Sequence, residues 1–273
     1  MRLLVVGGSG LLGTEVVRQA VDAQEDVAAT YLTRPPDLID SACHSLDIRD
    51  RARVLEVMSA LRPEVVVNAA FRQGDWTSTA DGAAHLALAA TGVGARLVHV
   101  SSDAVFSGTD VRYAETALPD PIIAYGAAKA AAETAVKAIS PAAVIARTSL
   151  IIGDGASPHE RLVHALASGE RSGALFTDDV RCPIHVTDLA AALLELAGSK
   201  HSGVYHVAGS DAISRHELGT LIARRDGLDP DALPTGRRAD TNLPGPVDVR
   251  LGITMTQAHL RTRLRGAREF LQC

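Results

Sequence analysis

The stretch LLVVGGSGLLG at residues 3–13 decides the fold. Its four leading apolar residues predict a buried strand, and Val16, Val17 and Ala20 fall on one face of the predicted helix that follows. A glycine-rich turn between a strand and a helix lets the backbone approach a pyrophosphate, which the positive end of the helix attracts. The stretch therefore predicts a dinucleotide-binding turn, against the alternative of a tight turn without a ligand. The contacts are expected from Gly7, Ser9, Gly10, Leu11, Leu12 and Gly13.

Short apolar runs alternate with helical patterns in the first half of the chain. The runs that predict strands are Leu3–Val6, Val27–Tyr31, Val65–Asn68, Leu97–Ser101 and Val144–Arg147. Right-handed crossovers between such strands give an α/β fold with a Rossmann-type doubly wound parallel sheet. Because the alternation weakens after residue 152, we expect a Rossmann core over residues 1–150 and a smaller C-terminal α/β substrate lobe over residues 151–273. The segment 187–200 is expected to pack back on the core.

Composition narrows the possible partners and compartments. The 273 residues carry a net charge of −5 without a block of Lys or Arg, which argues against a nucleic-acid partner. Three widely spaced cysteines predict no disulfide framework and favour the reducing cytoplasm. No apolar run reaches membrane-spanning length, so no membrane partner is expected. Cys182 and His185 have metal-compatible side chains but lack a second pair, so no metal site is expected.

The end of the second predicted strand bears on the choice of cofactor. NAD-binding turns place Asp or Glu there, about 20 residues past the last glycine, to bind the ribose 2′-hydroxyl. This chain has Tyr31 and Arg34 in that stretch and no carboxylate. Arg34 is available to bind a 2′-phosphate, which favours NADP over NAD, and its alternative is a solvated loop residue. Asp47 either accepts a hydrogen bond from the adenine amino group or caps the next helix. Ile48 beside it completes this set of expected cofactor contacts.

Tyr125 and Lys129 lie four residues apart in a helical pattern. This spacing puts the phenol and the ammonium on the same face of the helix. A nearby positive charge would lower the pKa of the phenol from its usual value of about 10 and prepare it for proton transfer. Upstream, the predicted strand Leu97–Ser101 ends in two hydroxyls at a carboxyl strand edge, where α/β sheets bind ligands. One of these serines is expected to hold a substrate carbonyl.

Several further motifs carry a resemblance to a known family. They are VNAA at residues 67–70, SSDAVFSG at 101–108, YGAAK at 125–129, ARTS at 146–149, RCP at 181–183 and GVYHVAG at 203–209. Together with the glycine turn, they make the chain similar to the extended short-chain dehydrogenase/reductases. Within that group it is most similar to the dTDP-4-dehydrorhamnose reductase-like, sugar-nucleotide-binding proteins, and the resemblance runs nearly end to end.

The resemblance implies roles for individual residues. Ser102 would be the catalytic hydroxyl and Tyr125 the proton donor, and both Tyr125 and Lys129 would contact the cofactor, with Lys129 bound to its ribose. Ala69 and Ala70 would line the nicotinamide side. The implied function is an NADP-dependent reductase of a carbonyl substrate, with a nucleotide-linked 4-ketosugar as the leading small molecule. The alternatives are an epimerase or dehydratase that recycles its cofactor, and a non-catalytic NADP-binding regulatory subunit. A homodimer is left open.

The substrate pocket departs from the pattern of the sugar reductases. Ala104 stands where they have an aromatic residue, Leu150 replaces a frequent Trp, and residues 71–76 differ from their acidic stretch. Arg181 is the candidate for binding a nucleotide-sugar phosphate, because a guanidinium can bind phosphate in a bidentate manner; the alternative is a surface ion pair. Trp76 is the candidate for the substrate cleft, with simple packing as the alternative.

Overall fold

A computed structural model describes residues 1–35 and 42–272, and its centre is a seven-stranded parallel sheet. In chain order the strands are β1 (Arg2–Val6), β2 (Asp26–Tyr31), β3 (Ala42–Ser45), β4 (Val65–Asn68), β5 (Arg96–Ser102), β6 (Val144–Thr148) and β7 (Gly203–His206). Across the sheet their order is β7-β6-β5-β4-β1-β2-β3. The order reverses between β1 and β4, which is where doubly wound sheets open a crevice for ligands. The predicted fold is confirmed.

Helices connect the strands and cover both faces of the sheet. Their bounds are α1 (Leu11–Asp22), α2 (Arg51–Leu61), α3 (Gly82–Val93), α4 (Ala124–Ile139), α5 (Pro158–Ala167), α6 (Val186–Ala197), α7 (Arg215–Arg225), α8 (Thr254–His259) and α9 (Ala267–Phe270). Asp50 begins α2 by accepting a hydrogen bond from the Arg53 amide. Ser157 and Glu160 form a capping box that begins α5, so the local sequence fixes both starts.

The central strands are buried on both faces, which explains their continuous apolar sequence. Val65, Val66 and Val67 of β4 all lie in the core, and β-branched side chains pack well on a pleated buried surface. One face of the sheet packs against α1 and α6, and the other packs against α2, α3 and α4. Covering both faces leaves the carboxyl edge of the strands as the open side of the sheet.

Beyond β6 the chain forms a smaller layer in which α5, α7 and α9 surround their own apolar cluster. Short strands tie this layer together within the described residues: Ile151–Ile152 with Ile184–His185, Val180–Arg181 with Ile213–Ser214, Leu175–Phe176 with Thr235–Gly236, and Arg112–Tyr113 with Arg250–Leu251. The chain also returns to the main sheet, because α6 packs beside α1 and β7 pairs with β6. A domain boundary at residue 150 stays a prediction, and it leaves β7 outside the core to which that strand is hydrogen-bonded.

Two searches of the described residues bear on membranes and metals. Within residues 1–35 and 42–272, no helix combines the length and the apolar character needed to cross a membrane. The same ranges hold no group of three or more His, Cys, Asp or Glu side chains that could bind a metal ion. The expected cytoplasmic location and the homodimer stay predictions.

Candidate active site

The glycine turn between β1 and α1 is held by its backbone. The Gly8 amide donates to the Thr30 carbonyl at 2.8 Å, and the Gly10 amide donates to the Gly7 carbonyl at 3.1 Å. Gly7 has a φ of +83°, a conformation that favours glycine. A Cβ on Gly13 would lie 2.1 Å from the Gly7 carbonyl oxygen, so only glycine lets α1 pack this closely against the turn.

The start of α1 is suited to an anionic ligand. Gly10 occupies the N-cap without a side-chain hydrogen bond, and the first turn, which lies within the described residues, carries no acidic side chain. The unpaired amides at a helix start and the helix dipole both favour negative charge. A Cβ on Gly10 would meet only the Gly7 oxygen, at 3.5 Å, among the described atoms within 4 Å. The outer side of the turn therefore has room for the pyrophosphate of a dinucleotide.

A cavity of about 230 Å³ lies beside this turn, and we call it the glycine-turn cavity. The turn, the ends of β1 and β2 and the segments after β3 and β4 form its walls. The predicted cofactor residues that line it are Gly7, Ser9, Gly10, Tyr31, Asp47, Ile48, Ala69 and Ala70. Since Rossmann folds bind the adenosine ribose at the end of the second strand, this cavity is suited to the adenosine half of a dinucleotide.

Asp47 lines the glycine-turn cavity, but its carboxylate is already paired. Arg49 donates from Nε to both carboxylate oxygens at 3.0 Å and from Nη2 at 2.6 Å. These contacts lower the pKa of Asp47. The alternative role of Asp47 as a helix cap is wrong, because Asp50 lies directly before the first residue of α2 and caps it. The adenine contact stays a prediction.

A second cavity, of about 560 Å³, contains the predicted reactive residues, and we call it the tyrosine cavity. Gly10, Ala69 and Phe71 line both cavities, so the two meet at these residues. The other predicted residues that line the tyrosine cavity are Leu11, Leu12, Gly13, Ser102, Tyr125, Lys129 and Arg181. The fold therefore joins the glycine turn to the Ser/Tyr/Lys set.

A close backbone approach brings α4 to the end of β5. Tyr125 and Lys129 lie in the first two turns of α4, and Ser102 is the last residue of β5. A Cβ on Gly126 would lie 2.0 Å from the Ala104 carbonyl oxygen. Glycine at position 126 thus lets the turn that carries Tyr125 approach the segment that follows Ser102.

The environment of Tyr125 differs from the one predicted. Burial raises the pKa of its phenol, a hydrogen bond with Ser102 acts in the opposite direction, and the Asp103 carboxylate raises the pKa further. The predicted lowering of this pKa is therefore wrong for the protein alone. Desolvation disfavours the phenolate, and the sequence pattern does not reveal how deeply the phenol is buried.

Lys129 is buried, and its ammonium donates a hydrogen bond to the Val100 carbonyl at 2.9 Å. The ammonium also lies 5.0 Å from the centroid of the Phe71 ring. Burial lowers the pKa of Lys129 to about 8, and the Glu133 carboxylate one turn further along α4 opposes that shift. Lys129 is therefore charged at neutral pH and loses its proton in mildly alkaline solution.

A buried ion pair fixes α4 against the sheet. Arg147 of β6 donates from Nε and Nη2 to the two oxygens of Glu133, at 2.9 and 2.8 Å, and both side chains are only 1% exposed. Ser101 of β5 donates to the same carboxylate at 2.7 Å. The Ser101 hydroxyl is thereby occupied and its side chain is buried, whereas the half-buried Ser102 hydroxyl accepts a hydrogen bond from the Ala104 amide at 3.2 Å and contacts Asp103 at 3.3 Å. The choice of Ser102 as the catalytic serine stays a prediction.

One wall of the tyrosine cavity carries an arginine cluster, defined as Arg181, Arg215 and Arg238 around the buried Asp179. The Asp179 carboxylate lies 2.9 Å from Arg181, 3.5 Å from Arg215 and 3.2 Å from Arg238. Three guanidiniums against the two carboxylates of Asp179 and Asp103, which lies 3.7 Å from Arg181, leave a net positive charge at the cavity wall. Such an excess favours an anionic group on the ligand.

Arg181 is buried, so its reading as a surface ion pair is wrong. Its Nη2 donates to the Pro246 carbonyl at 2.6 Å, and its Nη1 donates to the Val247 carbonyl at 3.1 Å. Its Nε lies 3.7 Å from the Asp103 carboxylate. These contacts hold the segment around Pro246 at the cavity wall. Arg215 makes fewer such backbone contacts, so it has more donors available for a ligand.

Two predicted residues line neither cavity. Trp76 is 50% exposed and lies just before the short π-helix Thr77–Asp81. Arg34 is exposed in the loop after β2. Their roles with substrate and cofactor stay predictions that the described geometry does not support.

The sequence patterns missed several side chains of the tyrosine cavity. Asp103 accepts a hydrogen bond from Ser149 at 2.7 Å, and both lie in motifs that carried the family resemblance. Their motifs could therefore have indicated them. Nothing in the local sequence around Arg215 or Arg238 shows that they meet Asp179, because that contact joins distant segments of the chain.

A protein-family model matches nearly the whole chain, including the motifs described above. The model of the RmlD substrate binding domain matches residues 1–272. The chain belongs to this family. The resemblance to the dTDP-4-dehydrorhamnose reductase-like proteins is thereby confirmed, and with it the expected class, an NAD(P)-dependent oxidoreductase.

Two relatives and one solved structure show what the chain resembles. It is 33% identical to dTDP-4-keto-6-deoxy-D-glucose reductase of Streptomyces niveus, over 84% of this chain and 80% of the relative. It is 30% identical to methionine adenosyltransferase 2 subunit beta of Xenopus laevis, over 81% of this chain and 71% of that protein. A crystal structure of dTDP-4-dehydrorhamnose reductase from Bacillus anthracis in complex with NADP has a TM-score of 0.85 at 23% identity, covering 99% of this chain and 96% of the other. That likeness is one of fold.

Proposed function

We propose that this chain is an NADPH-dependent reductase that acts on the 4-keto group of a nucleotide-linked sugar. The observation that carries the proposal is the junction of the two cavities at Gly10, Ala69 and Phe71. A dinucleotide lying along the glycine turn would extend its nicotinamide end toward the Ser/Tyr/Lys set. The relative from Streptomyces niveus, whose name is that of a dTDP-4-keto sugar reductase, supports the substrate class.

The residues of the first cavity fit NADP. The uncapped start of α1 suits the pyrophosphate, and the stretch Thr30-Tyr31-Leu32 at the end of β2 presents no carboxylate to repel a 2′-phosphate. The solved relative with NADP is consistent with this choice. The cofactor, when bound, would supply a hydride from its nicotinamide ring. NAD is the alternative.

Each of the three residues of the Ser/Tyr/Lys set has its own role in the proposed reduction. Ser102 hydrogen-bonds the substrate carbonyl oxygen, Tyr125 donates the proton to it, and Lys129 binds the nicotinamide ribose. The phenol of Tyr125 is protonated at neutral pH, which is the form that a proton donor needs, and its raised pKa makes it a weaker acid in the protein alone. Hydrogen bonds from Ser102 and Tyr125 strengthen as negative charge develops on the carbonyl oxygen.

The charge of the tyrosine cavity suits a nucleotide-linked substrate. Arg215 lines this cavity and shares the single Asp179 carboxylate with two further guanidiniums, so an anion there would be attracted. A nucleoside diphosphate supplies such an anion beside the sugar. Ala104 and Leu150, which stand where the family pattern has larger aromatic residues, line the same cavity.

The test of the proposed function uses purified protein with NADPH and a panel of nucleotide-linked 4-ketosugars. We expect stoichiometric oxidation of NADPH and formation of the corresponding hydroxy sugar, identified by mass spectrometry. Tyr125→Phe should reduce kcat by about 10²- to 10⁴-fold, the usual contribution of a general acid, and leave NADPH binding unchanged. Turnover without net loss of NADPH would instead indicate an epimerase or dehydratase.

A second candidate function is that of a regulatory subunit, favoured by the similarity to the Xenopus laevis subunit. Such a protein would bind the dinucleotide and a partner enzyme without turnover of its own. Tyr125→Phe would then preserve biological activity, whereas a reductase would lose it. Complementation in a strain that lacks the native gene separates the two functions.

A further inference from the structure

Residues 71–73, which follow β4, form a bridging segment between the two cavities. Phe71 lines both cavities, Arg72 lines the glycine-turn cavity and Gln73 lines the tyrosine cavity. All three residues are exposed. They belong to the stretch that departs from the family pattern, and they place one guanidinium beside the cavity suited to adenosine.

Arg72 is the one Lys or Arg side chain that lines the glycine-turn cavity in residues 1–35 and 42–272. Within those ranges its guanidinium forms neither an ion pair nor a hydrogen bond. It lies close enough to add to the lowering of the pKa of Asp47, which comes first from the hydrogen bond with Arg49. Arg49 is bound to Asp47 through three contacts, so Arg72 is the cation with free donors at this cavity.

We propose that Arg72 binds the 2′-phosphate of NADP and thereby selects NADP over NAD. Tyr31 and Leu32, at the end of β2, line the same cavity and bring no carboxylate. Asp47 is the one carboxylate in the described lining, and Arg49 neutralises it. A guanidinium with free donors binds phosphate through charge-assisted hydrogen bonds.

The same geometry argues against Arg34, the residue that the sequence pattern favours for this role. Arg34 lies outside the lining of the cavity, although it is only three residues beyond the end of β2. Arg72 reaches the cavity from the segment after β4, on the other side of the crevice. The inference rests on the proposed cofactor and is independent of the sugar substrate.

The experiment measures the Kd of NADPH and of NADH by isothermal titration calorimetry, on the full chain without substrate. Arg72→Ala should raise the Kd of NADPH about 10- to 100-fold, the usual effect of losing hydrogen bonds to a charged group, and leave the Kd of NADH within about twofold. Arg34→Ala tests the rival residue. Arg51→Ala, at the exposed start of α2 and outside both cavities, is the charge-matched control.

A second readout comes from the single tryptophan of the chain, Trp76, four residues beyond Arg72. Energy transfer from Trp76 to the bound reduced nicotinamide gives an independent binding curve for each variant. Salt should weaken NADPH binding more than NADH binding in the unaltered protein, because ionic strength screens an exposed guanidinium–phosphate pair. In Arg72→Ala this difference between the two cofactors should disappear.

Each other outcome has a defined meaning. Equal weakening of NADPH and NADH by Arg72→Ala would overturn the inference, since it would indicate a contact with adenine or a change of loop structure. A selective loss of NADPH in Arg34→Ala would assign the role to Arg34. Unaltered protein that binds neither cofactor would refute both this inference and the proposed function. NADPH binding without any reduction of a 4-ketosugar would contradict the proposed function alone.

Discussion

The two cavities differ in what builds them. The glycine-turn cavity depends on backbone geometry, as in the φ of Gly7 and the contact distance at Gly13. The tyrosine cavity depends on buried side-chain networks, in which Glu133 pairs with Arg147 and Asp179 meets three arginines. A substitution at the glycine turn therefore acts through steric contact, whereas a substitution within the side-chain networks of the tyrosine cavity acts by leaving a buried charge with fewer partners.

The largest effect is expected from breaking the buried pair beneath the tyrosine cavity. Arg147→Met removes the buried guanidinium that pairs with the Glu133 carboxylate, and leaves that buried carboxylate with the half-exposed Lys137, 3.8 Å away, as its ion-pair partner. Removing one partner of a buried pair usually costs about 3–5 kcal/mol. Urea denaturation measures the loss as a lower free energy of unfolding. Asp22→Asn, which removes an exposed pair with Arg18, should change that free energy by less than about 0.5 kcal/mol.

A double variant shows whether charge is the cause. Glu133→Leu combined with Arg147→Met removes both charges, so it should recover much of the stability lost in Arg147→Met. A double variant no more stable than the single one would mean that packing around Arg147, and not its charge, stabilises this region.

The next effect is expected at the glycine turn. Gly13→Ala would put a Cβ 2.1 Å from the Gly7 carbonyl oxygen, so the turn must shift and NADPH affinity should fall by more than about tenfold. Calorimetry of NADPH binding measures the loss. Gly92→Ala is the matched control, because its Cβ would meet nothing within 4 Å among the described residues. Retained NADPH affinity in Gly13→Ala would refute the role given to the turn.

A glycine-to-alanine substitution in α4, Gly126→Ala, should lower kcat with little effect on NADPH affinity. A Cβ on Gly126 would lie 2.0 Å from the Ala104 carbonyl oxygen, so Gly126→Ala should move Tyr125 away from Ser102. We expect kcat to fall by about tenfold or more, since a displacement of about 1 Å can have a large kinetic effect. NADPH affinity should change by less than about threefold, because the glycine turn is untouched. An equal loss of both would contradict the division between the cavities.

The comparison also explains which features the sequence could predict. The glycine turn, the strand runs and the Tyr125–Lys129 spacing are local patterns, and each local pattern limits the backbone directly. The local sequence also indicates where α2 begins, because Asp50 has the position and side chain of an N-cap. Such features need no knowledge of distant segments.

The remaining features depend on contacts that no local pattern contains. The donors of Arg181 are taken by carbonyls of a segment more than 60 residues away, which removes much of its capacity for phosphate. Trp76 stays outside the cavity although its neighbours Phe71 and Gln73 line it. The predicted shift at Tyr125 had the wrong direction because burial, a property of the whole fold, raises the pKa of the phenol, and the charge of the Asp103 carboxylate acts in the same direction.

The smallest effect concerns Lys129, which lines the tyrosine cavity and contacts Phe71, one of the residues at which the two cavities meet. Because the pKa of Lys129 is about 8, its ammonium is mostly charged at pH 7 and mostly neutral at pH 9. If the charged form binds the ribose, the Kd of NADPH should rise by at most about tenfold over that range, since about one molecule in ten stays protonated one pH unit above the pKa. Calorimetry at the two pH values measures this change.

The groups that face Lys129 do not account for this pH dependence, so we assign it to Lys129 itself. Glu133 on α4 forms an ion pair with Arg147. His99 on β5 stays neutral because burial lowers its pKa to about 3. Phe71 has no ionisable group. Lys129→Met should therefore bind NADPH more weakly and show no rise between pH 7 and 9. Tyr125→Phe should retain the rise, because the phenol stays protonated throughout this range. A rise of the same size in Lys129→Met would mean that a group other than Lys129 titrates over this range.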